Sequence, residues 1–190
     1  MKKKDADQMP KRWQWLIQMI RDNNFTIGAE IGCHTGATTK RLLGRCPNLI
    51  LYAVDHWEPI LNDPTEAADE KGGMEGRDGK RARRKFEHDT YLFKGRRKVL
   101  VGNSLDMAKL VDDNSLDFVF IDADHRYTAV LSDIKAWAPK VKQGGIVCGH
   151  DYDFKDYPGV RKAVTECFGE KHNEAGIDRV WYAKKEDYIK

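Results

Sequence analysis

Ala29-Glu30-Ile31-Gly32-Cys33-His34-Thr35-Gly36-Ala37-Thr38-Thr39 is the stretch that decides how this chain folds. Phe25, Ile27, Ala29 and Ile31 alternate through its start, which reads as a strand. Two glycines four apart follow, and then a segment that opens a helix. A strand that turns on glycine into a helix lets a ligand approach the backbone closely. A second apolar run, Leu49-Ile50-Leu51-Tyr52-Ala53-Val54, ends at Asp55, 23 residues beyond Gly32. An acid at about that offset is where a dinucleotide fold holds ribose hydroxyls. The chain therefore reads as built for an adenosine-bearing ligand.

The glycine spacing narrows the ligand. The dinucleotide fingerprint is G-x-G-x-x-G, whereas this segment is E-x-G-x-x-x-G. A carboxylate at Glu30 would repel a pyrophosphate and suits a cationic or amine-bearing ligand.

The chain has 190 residues, enough for one domain with a real core. Its 33 Lys and Arg against 30 Asp and Glu leave a net charge of +3, which by itself implies no nucleic acid. No apolar run approaches membrane-spanning length, and no signal core follows the basic start. Cys33, Cys46, Cys148 and Cys167 are scattered and form no C-x-x-C, which favours reduced thiols and a cytoplasmic setting.

Strands and helices alternate along the chain. Strands are predicted near 26–31, 49–54, 98–102, 116–121 and 144–149, and helices near 36–45, 104–111, 126–138 and 158–168. This predicts an α/β fold, a doubly wound, mostly parallel Rossmann-like sheet with helices on both faces. Residues 178–183 alternate like an added, antiparallel C-terminal strand. Ahead of the sheet, Trp13, Leu16, Ile17 and Ile20 mark an amphipathic helix within 1–24, which packs on the domain or on a partner such as a second copy. Residues 57–79 hold two prolines, four glycines and many charges, and read as a lid or loop insertion. Ten basic residues then lie between Arg77 and Lys98, either as a solvated helix face or as a patch for an acidic partner. No aromatic interleaving supports nucleic acid.

Open parallel sheets bind ligands at the carboxyl ends of their strands. Here the five predicted ends carry Glu30-Ile31-Gly32, Asp55-His56-Trp57, Gly102-Asn103-Ser104, Asp122-Ala123-Asp124-His125 and Gly149-His150-Asp151. Asp55 can accept from a ribose diol. Asn103 and Ser104 sit where an adenine amine would be read, with Ser104 equally suited to cap a helix. Trp57 either stacks on adenine or closes the lid. Asp122 and Asp151 should face each other across adjacent strands, an oxygen-rich pair suited to Mg²⁺ or another divalent cation, and His150 widens that choice. His125 is the general-base candidate.

The first motif resembles that of class I methyltransferases, which bind S-adenosylmethionine. Ile121-Asp122-Ala123-Asp124-His125-Arg126-Tyr127, Asp133-Ile134-Lys135-Ala136-Trp137, Gly144-Gly145 and Gly149-His150-Asp151-Tyr152 resemble a small O-methyltransferase-like family within that class. Its relatives include sugar O-methyltransferases, cephalosporin-hydroxylase-like proteins and, more distantly, catechol and caffeoyl-CoA enzymes. The resemblance implies S-adenosylmethionine held by Glu30, Gly32, Cys33, His34, Gly36, Thr38, Thr39, Asp55, His56, Asn103, Ser104 and Asp122. It implies a divalent cation on Asp122, His150 and Asp151, with His150 standing where catechol-type enzymes have an acid. His125 and Asp122 become the catalytic pair, with His125 near the position of the catechol-type lysine base. The implied reaction is in-line methyl transfer to an oxygen of a small molecule or sugar. The weighed alternatives are an NAD-dependent oxidoreductase and a non-catalytic nucleotide-binding module of the same fold. The absence of an Asn-Pro-Pro-Tyr or Asp-Pro-Pro-Tyr segment counts against methylation of nucleic-acid bases.

Overall fold

The computed structural model describes residues 11–58 and 78–189. Most of the expected lid, 59–77, and the basic start of the chain lie outside them. The described strands are β1 (Ile27–Ile31), β2 (Ile50–Asp55), β3 (Arg97–Val101), β4 (Leu116–Ile121), β5 (Val141–Gly149), β6 (Asn173–Glu174) and β7 (Trp181–Lys184). They form one sheet in the order β3-β2-β1-β4-β5-β7-β6. The first five are parallel, whereas β7 runs antiparallel to β5 and β6 antiparallel to β7. The order reverses between β1 and β4, so a crevice opens at their carboxyl ends. The expected doubly wound sheet with an antiparallel C-terminal strand is what forms.

Among the described residues, six α-helices cover it: α1 (Arg12–Asp22), α2 (Ala37–Arg45), α3 (Gly79–Thr90), α4 (Ser104–Ala108), α5 (Tyr127–Trp137) and α6 (Pro158–Phe168). Strand β4 shows why both faces need covering. Phe118 and Phe120 pack toward Leu16, Ile20, Leu42 and Leu43 of α1 and α2. Val119 and Ile121, one residue out of phase, pack with Val130, Ile134, Val160 and Val164 of α5 and α6. The stripe of α1 is thus buried on the chain's own domain. Each fully buried side chain of this kind contributes about 1.5–3 kcal/mol.

Several boundaries differ from the expectation. Asp178 and Arg179 have φ of 48° and 53°, so the last strand begins at Trp181 and not at 178. The two-residue β6 was not anticipated, and α4 ends at Ala108 rather than 111. Helix α3 presents its basic residues to solvent around buried Ala82, Phe86 and Thr90, with Asp78 as its N-cap. Lys85 pairs with Asp89 at 2.7 Å, which fits the solvated-face reading. All four cysteines are free and buried. Among the described residues, no helix is long and apolar enough to cross a membrane.

Candidate active site

A cleft of about 1010 Å³ opens at the carboxyl ends of β1, β2, β4 and β5. Its cofactor half is made by the loop after β1. Gly32 takes φ of +87°, and a Cβ there would lie 2.3 Å from the carbonyl oxygen of Asp122. That glycine lets the ends of β1 and β4 close on each other as well as lining the cleft. Gly36 caps α2 in the left-handed region, φ +75°, but a Cβ on it would meet Phe86 at 2.8 Å. Its smallness therefore serves the packing of α3, and neither Gly36 nor Thr39 lines the cleft. Thr39 instead donates its hydroxyl to Glu30 at 2.5 Å. Glu30 is 2% exposed, and burial pushes its carboxyl up to about 8. Cys33, His34 and Thr38 line the cleft as expected.

Asp55 lines the cleft and holds two loops together. One carboxylate oxygen accepts from the backbone N–H of His34 at 2.8 Å, and the other from that of Trp57 at 2.7 Å. Trp57, itself at φ 51°, donates its indole N–H to the carbonyl of His34 at 2.7 Å. Its ring is buried against Phe86, centroids 5.1 Å apart. Trp57 is therefore a staple between the loops after β1 and β2. His56 also lines the cleft, its Nδ1 accepting from the N–H of Glu58.

After β3 the helix cap is Asn103 and not Ser104: Asn103 Oδ1 accepts from the N–H of Leu105 at 2.9 Å. Ser104 accepts from the indole of Trp137 at 2.8 Å, and burial raises Asp133 to about 7. Both Ser104 and Asp133 line the cleft.

The opposite half collects charge. His125 Nε2 lies 2.8 Å from Asp151 Oδ2 and 3.9 Å from Asp122 Oδ1. His150 Nδ1 lies 2.9 Å from that same Asp151 oxygen and 3.5 Å from Asp122 Oδ1. Arg12, from the first turn of α1, reaches Asp122 Oδ2 at 3.1 Å. Its backbone N–H donates to Asp178, which stands 3.8 Å from His150 Nε2. Burial would raise Asp122, but Arg12 and the two nearby imidazoles outweigh it and hold the carboxyl well below its usual range. Asp151 is likewise lowered to about 2, against its burial, by the two imidazoles. The histidines would be lowered by burial, yet Asp122 and Asp151 raise His125 to about 10 and His150 to about 9. Three carboxylates thus face three cations, Arg12 and two imidazoliums.

One donor atom each from Asp122, His125 and Asp151 lie within 4.8 Å of one another. That group holds His125 where the expected ligand set of Asp122, His150 and Asp151 had His150, and His150 meets the same two carboxylates. As a general base His125 would have to be neutral, whereas here the carboxylates hold it cationic. Its ring stacks on Tyr157, centroids 4.2 Å apart and 12° from parallel, and Tyr157 meets Phe154, over which Arg179 lies at 4.4 Å. Sequence reasoning missed Arg12, Asp133, Phe154, Tyr157 and Arg179. Only tertiary contacts bring them to the cleft, although Asp133 sits inside a segment that the family resemblance already quoted.

Residues 29–152 match the sequence profile of a methyltransferase-domain family. The fold is similar to that of the O-methyltransferase NovP, at 18% identity and a TM-score of 0.69, covering 90% of this chain and 77% of that one. It is also similar to a protein of Staphylococcus aureus provisionally assigned as a caffeoyl-CoA O-methyltransferase. That match has 15% identity and a TM-score of 0.65, covering 94% of this chain and 86% of the other. An uncharacterized protein of Acanthamoeba polyphaga mimivirus is 37% identical over 54 residues, 28% of this chain and 24% of its own length.

Proposed function

The chain belongs to the methyltransferase-domain family that its residues 29–152 match, and we propose that it transfers the methyl group of S-adenosylmethionine to an oxygen of a small-molecule acceptor. One observation carries this reading. A glycine-turn cleft with a ribose-competent acid opens directly onto a balanced cluster of carboxylates and imidazoles. An adenosyl group fits the first half: Asp55 retains lone pairs for a ribose diol, and Gly32 leaves room beside the end of β4.

The second half fits a divalent cation. Asp122, His125 and Asp151 would hold it, and two carboxylates with an imidazole suit Mn²⁺ or a similar transition ion at least as well as Mg²⁺. Exchanging the two imidazolium protons for one dication keeps the cluster neutral. Bound there, such a cation supplies positive charge that makes the acceptor hydroxyl easier to deprotonate. His150 keeps Asp151 aimed at the site, and Arg12 keeps Asp122 ionised. The acceptor oxygen then attacks the methyl carbon in line as the carbon–sulfur bond breaks, and the hydroxyl proton leaves to solvent. Holding the reactants in that geometry supplies much of the acceleration. The acceptor is a sugar or another hydroxylated small molecule.

Calorimetry with S-adenosylhomocysteine, with and without Mg²⁺, Mn²⁺ or chelator, tests both halves. Binding of the nucleoside is expected in every buffer, and its absence would overturn the cofactor assignment. Mn²⁺ titrated alone or with cofactor should bind with one-to-one stoichiometry. Failure to bind any divalent ion would overturn the metal half of this reading.

A further inference from the structure

The charged half of the cleft balances its charges with one exception. Asp122, Asp151 and Asp178 face Arg12, His125 and His150. Asp124 is held by Arg126, whose Nε lies 2.9 Å from its Oδ2. Arg179 lines the cleft as well, yet among the described residues no carboxylate stands within ion-pair distance of its guanidinium. Its side chain lies instead over the ring of Phe154, 4.4 Å from the centroid.

The backbone here is strained for an arginine. Arg179 has φ of 53° and follows Asp178 at 48°. The left-handed region suits glycine, asparagine or aspartate, and arginine adopts it at a cost. The turn places the Arg179 carbonyl on the N–H of Tyr152 at 3.0 Å and the Asp178 carboxylate on the N–H of Arg12 at 2.9 Å. Neither bond uses the Arg179 side chain, so a glycine would serve the turn with less strain. Strain of this kind gathers at functional sites. Phe154 then leads back to the reacting end: it meets Tyr157, centroids 5.0 Å apart, and Tyr157 stacks on His125 at 4.2 Å. Three such contacts separate Arg179 from the cluster of Asp122, His125 and Asp151, so one small molecule can touch both ends.

We propose that Arg179 selects acceptors that carry an anionic group, a carboxylate or a phosphate, at the end away from the reacting hydroxyl. The inference rests on the methyl-transfer reading and deepens it, because it names the class of acceptor. Such an anion neutralises the one surplus cation of this half. The planar guanidinium can donate to two of its oxygens at once. Phe154 supports the guanidinium from below and leaves its N–H groups to the ligand. Arg179 is exposed, so water and salt screen the pair, and the gain in affinity is on the order of 5-fold.

Calorimetry on the full chain, saturated with S-adenosylhomocysteine and Mn²⁺, compares two matched pairs. One is 3,4-dihydroxybenzoate against 3,4-dihydroxybenzamide, and the other is glucose 6-phosphate against glucose. The anionic member of at least one pair should bind about 5-fold tighter or more, and the pair that shows it tells a carboxylate acceptor from a phosphate one. That preference should shrink in about 1 M NaCl. Arg179→Gln should bring it within about 2-fold, and Arg179→Lys should keep part of it. Arg179→Gly should lose it without lowering Tm, since glycine relieves the left-handed backbone. Retained binding of S-adenosylhomocysteine shows that each variant folds. No preference in either pair, or a preference that survives Arg179→Gln, overturns the proposal and leaves the methyl-transfer reading in place. If the unaltered protein does not bind S-adenosylhomocysteine, that reading fails first, and this inference with it.

Discussion

Asp55→Asn should destabilise the protein even with no ligand present. The Asp55 carboxylate accepts one backbone N–H from each of two loops, His34 at 2.8 Å and Trp57 at 2.7 Å. A hydrogen bond to a charged group contributes about 1.5–3 kcal/mol net. Asparagine has the same shape, but only its oxygen can accept. Its NH₂ would face the other backbone N–H, donor against donor. The lost bond and the donor clash add, and because Asp55 is half-buried water relieves part of the clash, which places the loss at about 2–3 kcal/mol. For a domain of this size, that lowers Tm by roughly 5–10 °C. Urea unfolding without ligand, followed by tryptophan fluorescence, measures it. Trp57 lies at the affected contact, so its local environment should respond as well. If Asp55 served only to bind ribose, the ligand-free variant would lose nothing. A stability within about 0.5 kcal/mol of the unaltered protein, the scatter of ordinary surface changes, would refute the stapling role.

Three further outcomes are expected. Gly32→Ala combines φ of +87° with a Cβ 2.3 Å from the Asp122 carbonyl, whereas Gly144→Ala has φ of +79° and nothing within 4 Å. The second should cost about 1–2 kcal/mol of backbone strain and the first clearly more, with nucleoside affinity lost only at Gly32; equal thermal shifts would contradict the close-approach argument. Glu30 has a folded pKa raised by burial to about 8, so the native state keeps a proton that the unfolded chain releases near pH 4.5. Its contribution is therefore fully present below about 4.5 and is lost as pH rises through about 8. Glu30→Gln should flatten that decline and be the more stable protein at pH 9, a gain of a few kcal/mol in denaturant midpoints taken across pH. Asp151→Asn should weaken Mn²⁺ binding at least tenfold by electron paramagnetic resonance titration and leave S-adenosylhomocysteine affinity within about 3-fold, and loss of the nucleoside instead would place Asp151 in the other half of the cleft.

Strand periodicity and the order of elements were legible because each is a local property. Alternating Phe118, Val119, Phe120 and Ile121 had to be covered on both sides, and the helices on either side of β4 could only return them to a parallel sheet. The strand-end rule then places Glu30, Asp55, Asp122 and Asp151 on one rim from the amino-acid sequence alone. Chain order also marked the element that holds Ser104. What local pattern could not reveal was what each side chain is used for. Gly36 is small because Phe86 presses on it, Thr39 holds Glu30 rather than lining the cleft, and Trp57 ties two loops together through its indole N–H. Arg12 and Asp178 lie 166 positions apart, and nothing in their neighbours announces that they meet. Charge state was equally beyond reach. An imidazole at His125 reads as a base near neutral pH, and it becomes a cation only because Asp122 and Asp151 converge on it from two strands. The amino-acid sequence by itself determined the sheet, its switch point and the rim that carries the chemistry, since periodicity and turn residues act between neighbours. Tertiary structure alone decided which polar groups are spent on one another and which remain for a ligand, because that depends on distances between residues far apart in the chain.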